Sequence, residues 1–157
     1  MSVSRVRYSA FDTALYFLTF KDRTIKEIKD KLKEKGYSDS DIEDALVKLI
    51  DYGYINEKNY AFSYIKSNMN KKGAKLITME LIQKGLDKGV IMEQLSYFQD
   101  DEEDIVYSSV CKKYKDVDLD DEKQRRRVFS YFVRRGFKYE SVSSALSKYR
   151  KNIIKNL

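Results

Sequence analysis

Histidine, proline and tryptophan are absent from the 157-residue chain, and there is a single cysteine. Each absence removes a class of function. Without histidine, Ser-His and Cys-His nucleophile pairs have no base, and one cysteine without histidine cannot assemble an ordinary zinc site. Cys111 has no partner for an intramolecular disulfide and points to a reducing compartment. Although Lys112 and Lys113 follow it, no base stands by, and the thiol reads as half-buried and inert. The six glycines are scattered and form no phosphate loop. The acidic run Asp100 to Asp104 lacks the glycine turn of a calcium loop, so it reads as a solvated joint and helix start, as does the stretch Asp116 to Glu122. No catalytic residue, cofactor or metal is expected. Nothing approaches the roughly 20 apolar residues that span a bilayer, and the start lacks the apolar run of a signal peptide. A cytoplasmic, non-enzymatic, monomeric protein without a membrane partner is the expectation.

The missing proline says something positive. Average usage of about 5% would place roughly eight in this length. Each interior proline costs a helix about 3 kcal/mol through a lost donor and a clash, so this chain is free to be helical almost throughout. It is 42% apolar and 36% charged, a balance that suits a folded but thin body with much surface per residue.

Three segments repeat one pattern when aligned on glycine. Ile28, Leu32 and Tyr37 surround Gly36; Ile77, Leu81 and Leu86 surround Gly85; Val128, Phe132 and Phe137 surround Gly136. Beyond each glycine, at offsets of six, ten and thirteen, come Ile42, Leu46 and Leu49, then Ile91, Leu95 and Phe98, then Val142, Leu146 and Tyr149. Those spacings lie on one face of a helix. Each unit thus holds a helix that stops at a glycine suited to positive φ and a second helix starting just after it. Thr24 with Glu27, and Ser38 with Asp41, have capping-box spacing; Asp87 and the Asp120–Asp121 pair suit helix starts. A further helical stretch precedes each pair: Phe11 to Phe20, Glu57 to Asn68 and Glu102 to Tyr114. The expectation is an all-α fold of three tandem three-helix units, residues 11–55, 56–99 and 100–152, between short tails 1–10 and 153–157. Units this small bury their apolar stripes by stacking, which predicts an elongated, curved array.

Charge is placed unevenly. Residues 1–55 are neutral overall, whereas residues 123–157 hold eleven basic residues against Glu140 alone. At 100° per residue, Val128, Phe129, Phe132 and Val133 share one side of their helix, while Lys123, Arg127, Ser130 and Arg134 fall opposite. Arg126, Arg135 and Lys138 can extend the edges of this basic stripe, Arg125 joins them as a candidate contact, and Lys71, Lys72, Lys75 and Lys84 make a smaller patch in the second unit. Arginine forks suit carboxylate and phosphate oxygens, so these ten residues are the candidate contacts for an acidic partner surface or for nucleic acid. The tyrosines Tyr60, Tyr64, Tyr131 and Tyr149 are expected to pack rather than stack on bases.

The chain resembles the RecX family of bacterial recombination regulators over roughly Ala14 to Tyr149. The residues carrying the resemblance are Arg23 to Ile28 with Lys31-Leu32 and Lys35-Gly36, the joint Gly53 to Ala61, Glu80-Leu81 with Lys84-Gly85-Leu86, and Arg134 to Phe137 followed by Tyr139. Lys21, Asn56 and Asn68 depart from the family pattern. The resemblance implies a negative regulator that lies along a RecA filament on single-stranded DNA and lowers its ATPase, strand-exchange and coprotease activities. It would thereby tune DNA repair, homologous recombination and the SOS response. Weak direct DNA binding would be compatible. Two alternatives remain open at this point: a general DNA-binding helical module, and a helical-repeat scaffold for another protein.

Overall fold

The structure, a computed structural model, describes residues 7–98 and 101–156. Among these, nine α-helices and no strand are found, in three successive groups of three. The first group is α1 (Ala10–Phe20), α2 (Ile25–Glu34) and α3 (Asp39–Asp51); the second is α4 (Glu57–Asn68), α5 (Ala74–Gln83) and α6 (Lys88–Leu95), the last continued by a 3-10 turn over Ser96–Phe98. The third is α7 (Asp101–Lys113), α8 (Glu122–Arg134) and α9 (Tyr139–Lys155).

Local chemistry sets these boundaries. Thr24 and Glu27 form a reciprocal capping box, and Ser38, Asn56, Asp87 and Asp121 each accept a backbone N–H at their helix starts. Asn56, where the family pattern has an acid, therefore still caps its helix. At the other end, Gly36, Gly85 and Gly136 stand at φ of 86°, 92° and 90°. Each glycine N–H bonds the carbonyl three residues back, and the next residue's N–H bonds the carbonyl five back. This is the Schellman arrangement, and it gathers otherwise orphaned carbonyls at the turn.

Each unit encloses its own apolar core. Ile28, Ile77 and Val128 are equivalent and buried, as are Leu32, Leu81 and Phe132, and Ile42, Ile91 and Val142. Val133 differs from its expected place on the apolar side: it is 41% exposed, because it lies about 140° around α8 from Val128. Cys111 is half-buried against the third core.

The units join through the ends of their middle helices. Carbonyls of Arg135 and Gly136, at the C-terminal end of α8, accept the N–H groups of Gly73 (2.8 Å) and Lys75 (3.2 Å), at the start of α5. At the far end of α5, the Lys84 carbonyl accepts the Thr24 hydroxyl (2.7 Å) and the Gln83 carbonyl accepts the Lys26 ammonium (3.1 Å). So α8, α5 and α2 succeed one another head to tail, with the carbonyl-rich end of each helix meeting the N–H-rich start of the next. At 1.5 Å per residue these three helices amount to about 50 Å of rise. No described hydrogen bond or ion pair links the first unit directly to the third, and the array is elongated accordingly. At the other end of this column the Arg7 guanidinium donates to the Gly36 carbonyl (2.8 Å).

The two joints differ in chemistry. Between the second and third units the backbones touch, and Ile65, Met69, Ile77, Phe98, Ile105 and Phe137 surround a cleft of about 30 Å³. Between the first and second the contact is polar: fully buried Thr24, the Glu57 carboxylate accepting from the Ile25 N–H (3.2 Å), and the Lys84–Glu27 ion pair (3.2 Å). Burial pulls the Lys84 ammonium down, but its bond to Glu27 and the neighbouring Tyr60 outweigh this, leaving its pKa raised. A raised lysine stabilises below the ordinary lysine range, and that contribution is lost as pH rises through the raised value. The first unit should therefore loosen from the second in strong alkali. In Lys84→Met this alkaline limb should flatten, as read by pH-dependent amide exchange in α2.

One part of the acidic run is not solvated. Glu102 is only 9% exposed, and its carboxylate accepts the Lys138 N–H (2.8 Å) where α9 begins. Asp101 and Asp104 are exposed as expected, and Asp100 lies outside the described residues. Glu102→Ala should cost about 1–2 kcal/mol of stability through the lost charge-assisted bond at the start of α9, measurable by chemical denaturation.

Candidate functional site

Five of the ten candidate cations are engaged within the protein. Arg135 donates to the Lys71 carbonyl (2.6 Å) and lies over the Tyr131 ring. Arg125 donates to the Leu119 carbonyl (3.0 Å), holding the turn before α8. Arg126 pairs with Glu122 one helical turn away, on an exposed surface. Lys72 bridges both oxygens of Glu80 (2.8 and 3.1 Å), and Lys84 is taken up by Glu27. Glu80 is pushed up by burial, but bonds from Lys72 and Tyr64 outweigh that and hold its carboxyl below the usual range. Lys72 is thus neutralised by a committed anion.

The other five, Arg127, Arg134, Lys138, Lys71 and Lys75, are exposed and have no ion pair among the described residues. The fold brings them together. Lys71 and Lys75 flank Gly73, whose N–H sits on the Arg135 carbonyl, so they stand at the same joint as Arg134 and Lys138. The stripe of the third unit and the patch of the second, separate in sequence, form one cationic surface. Lys123, with the same helical phase as Arg127 and Arg134, extends it along α8 and lines a groove of about 570 Å³ with Arg126, Arg127 and Ser130. Met79, Ile82 and Val133 are exposed on the outward arcs of α5 and α8 beside these cations.

The close approach that makes this surface depends on glycine. A Cβ at Gly73 would lie 2.1 Å from the Phe137 N and 2.2 Å from the Gly136 carbonyl carbon; one at Gly136 would lie 2.5 Å from the Leu76 N. The first joint shows the same device, with a Cβ at Gly85 falling 2.5 Å from the Lys26 Cβ. Sequence spacing explains Gly85 and Gly136 as helix stops but carries no sign of what packs against them, and it gives Gly73, at the start of α5, no role. Among the described residues no group of three potential metal-ligating side chains stands together, and no helix is long and apolar enough to cross a membrane.

Fold and surface together define a tandem helix-turn-helix repeat protein with a cationic patch across its second joint. The chain belongs to the RecX family: it matches the family's first, second and third three-helix domains over residues 10–49, 56–95 and 100–146. Among curated relatives it is 35% identical over 144 residues to "Regulatory protein RecX" of Bacillus velezensis, covering 88% of this chain and 54% of that one. It is 31% identical over 134 residues to the protein of that name from Clostridium perfringens, covering 83% and 63%. The chain therefore spans less than two thirds of the length of these relatives. Its fold superposes on the crystal structure of RecX from Lactobacillus salivarius with a TM-score of 0.79 at 27% identity, covering 88% of this chain and 93% of the other. A second structure, described as regulatory protein RecX, gives 0.75 at 24% identity, covering 87% and 70%.

Proposed function

We propose that this chain is a non-enzymatic negative regulator of RecA, acting in the cytoplasm as a monomer on the RecA filament assembled on single-stranded DNA. By lying along the filament it opposes growth or favours disassembly, and so lowers RecA's ATPase, strand-exchange and coprotease activities. Homologous recombination, DNA repair and the SOS response are the processes it tunes.

The observation that carries this reading is the gathering of cations from two units, Arg127, Arg134, Lys138, Lys71 and Lys75, none of them ion-paired among the described residues, on a stacked column in a chain of the RecX family. A rigid cationic face spanning two units suits a repeating polymer, because several charge-assisted contacts form without ordering flexible segments. Arg125, Arg126, Arg135, Lys72 and Lys84 then hold the surface in shape more than they touch the partner. RecA ATPase on single-stranded DNA, titrated with the chain, tests the proposal. Inhibition that saturates is expected; unchanged ATPase at several-fold excess over filament sites refutes it.

A further inference from the structure

The outward face of α9 plays no part in the surface described above. Along it, Ser143, Ser144 and Ser147 make a ridge of short hydroxylated side chains. A groove of about 310 Å³ on the α8 side contains Arg125, Arg126 and Arg150 together with Tyr139, which is 62% exposed. On the other side a groove of about 390 Å³ contains Lys148, Lys151 and Lys155. Ser143 and Ser147 border both grooves. Helical phase agrees, since Arg150 lies about 60° to one side of Ser147 and Lys148 and Lys155 about 80–100° to the other. The same positions after the glycine hold Glu43, Asp44 and Val47 in the first unit, and Met92, Glu93 and Ser96 in the second. Only the third unit has this arrangement.

From this geometry we infer that α9 is a binding helix for the phosphodiester backbones of double-stranded DNA. A duplex presents two rows of phosphates flanking a major groove about 12 Å wide, and α9 presents cations on both flanks of a narrow ridge. A single strand, with one phosphate row, would need only one of the two walls. Serines allow the helix axis to come close to the groove floor while their hydroxyls donate to phosphate or base edges. The second helix of a helix-turn-helix pair is the one that enters the major groove, and α9 holds that place after α8 and Gly136. At 17 residues it is about 25 Å long, enough to lie within the groove. Two of the arginines carry placeholders, Arg150 on Asp120 (2.6 Å) and Arg126 on Glu122. Both pairs are exposed and readily exchanged for phosphate. Glu140, close to the phase of the ridge where α9 begins, and the arginines on its flank are long forked side chains that can meet base edges, but the ridge between them is serine, so binding is expected to depend only weakly on sequence.

This inference does not rest on the RecA reading, and its test needs no RecA. Fluorescence anisotropy of the whole chain with a labelled duplex several helical turns long, and with one of its strands alone, measures it. Tighter binding to duplex is expected. Lys151→Ala with Lys155→Ala should weaken it and lower the slope of log affinity against log salt by about 2, at ~0.9 per phosphate contact. Ser147→Tyr, which fills the ridge without altering charge, should weaken it by at least about tenfold if helix approach governs discrimination of the groove. Arg127→Glu with Arg134→Glu should weaken it less per unit of charge changed than the α9 lysine pair does, because those residues lie around α8 from the groove that holds Arg125 and Arg150. The proposal is overturned by no duplex binding at low salt, by a preference for the single strand, or by α9 variants that bind as well as the parent. Intact helical circular dichroism for each variant separates these results from misfolding. Duplex binding without any effect on RecA ATPase would sink the RecA reading alone.

Discussion

Gly73→Ala and Gly136→Ala should each destabilise the protein by about 2–4 kcal/mol, whereas Gly36→Ala should cost only about 1–2 kcal/mol. All three begin from glycine, but they test different physics. Gly36 stands at φ +86° with only the Arg7 guanidinium 4.0 Å from an added Cβ, so its cost is the left-handed backbone alone. Gly136 has the same φ and in addition the backbone of Leu76 within 2.5 Å. Gly73 has an ordinary helical-entry φ of −78°, so its whole cost is steric: two backbones must part, at the usual overpacking penalty of about 1–3 kcal/mol or more. Parting them also breaks the Gly73 and Lys75 hydrogen bonds to α8. Denaturant unfolding gives the magnitudes. Amide exchange should show Gly73→Ala opening α5 and α8 while α2 and α3 stay protected. A Gly73→Ala protein as stable as its parent would mean that the second and third units do not meet through these backbones.

Arg127→Glu with Arg134→Glu should raise the concentration needed for half-inhibition of RecA ATPase by at least about tenfold while leaving stability within about 0.5 kcal/mol, as is usual for exposed substitutions. Both residues are exposed and neither makes an ion pair among the described residues, so reversal removes nothing from the fold except an Arg134 bond to its own helix at 3.3 Å. The change is four units of charge beside Lys71, Lys75 and Lys138, enough to convert local attraction for an anionic surface into repulsion. Arg126→Gln is the contrasting variant: its charge is already matched by Glu122, and inhibition should change by no more than about threefold, in line with the small worth of exposed pairs. Equal loss in both variants would show that overall charge, rather than this surface, governs the effect. Retention in both would remove the surface from the mechanism while leaving the regulatory role standing.

Most of the helical framework was legible in the residues because the forces that set it act within a dozen positions. Ile28 with Leu32, and Val128 with Phe132, announce a buried face by spacing alone. Thr24 with Glu27 announces a helix start through a bond spanning three residues. Glycine at the end of each middle helix announces a stop, since a Cβ is penalised at positive φ. Glu102 departs from its expected solvated place for the complementary reason. In an acidic run it resembles any solvated carboxylate, and the N–H it satisfies belongs to Lys138, 36 residues later. Arg135 and Lys84 read as outward cations for the same reason, their partners being the Lys71 carbonyl, 64 positions away, and Glu27, 57 away. The lysines of α9 were visible as charges, but only the fold sets Arg125 and Arg126 opposite them across the serine ridge.

Composition and periodicity by themselves determined that this protein is helical, that one three-helix unit occurs three times, and that its positive charge concentrates toward the third. These follow from local backbone preference and from the need to bury an apolar stripe, both written in neighbouring residues. Only the tertiary structure decided that α8, α5 and α2 meet end to end, which cations stay available, and that the patches of two units become one surface. Those outcomes depend on hydrogen bonds and backbone contacts between segments some 60 residues apart, where no spacing rule operates and the absence of a single Cβ decides how closely two units approach.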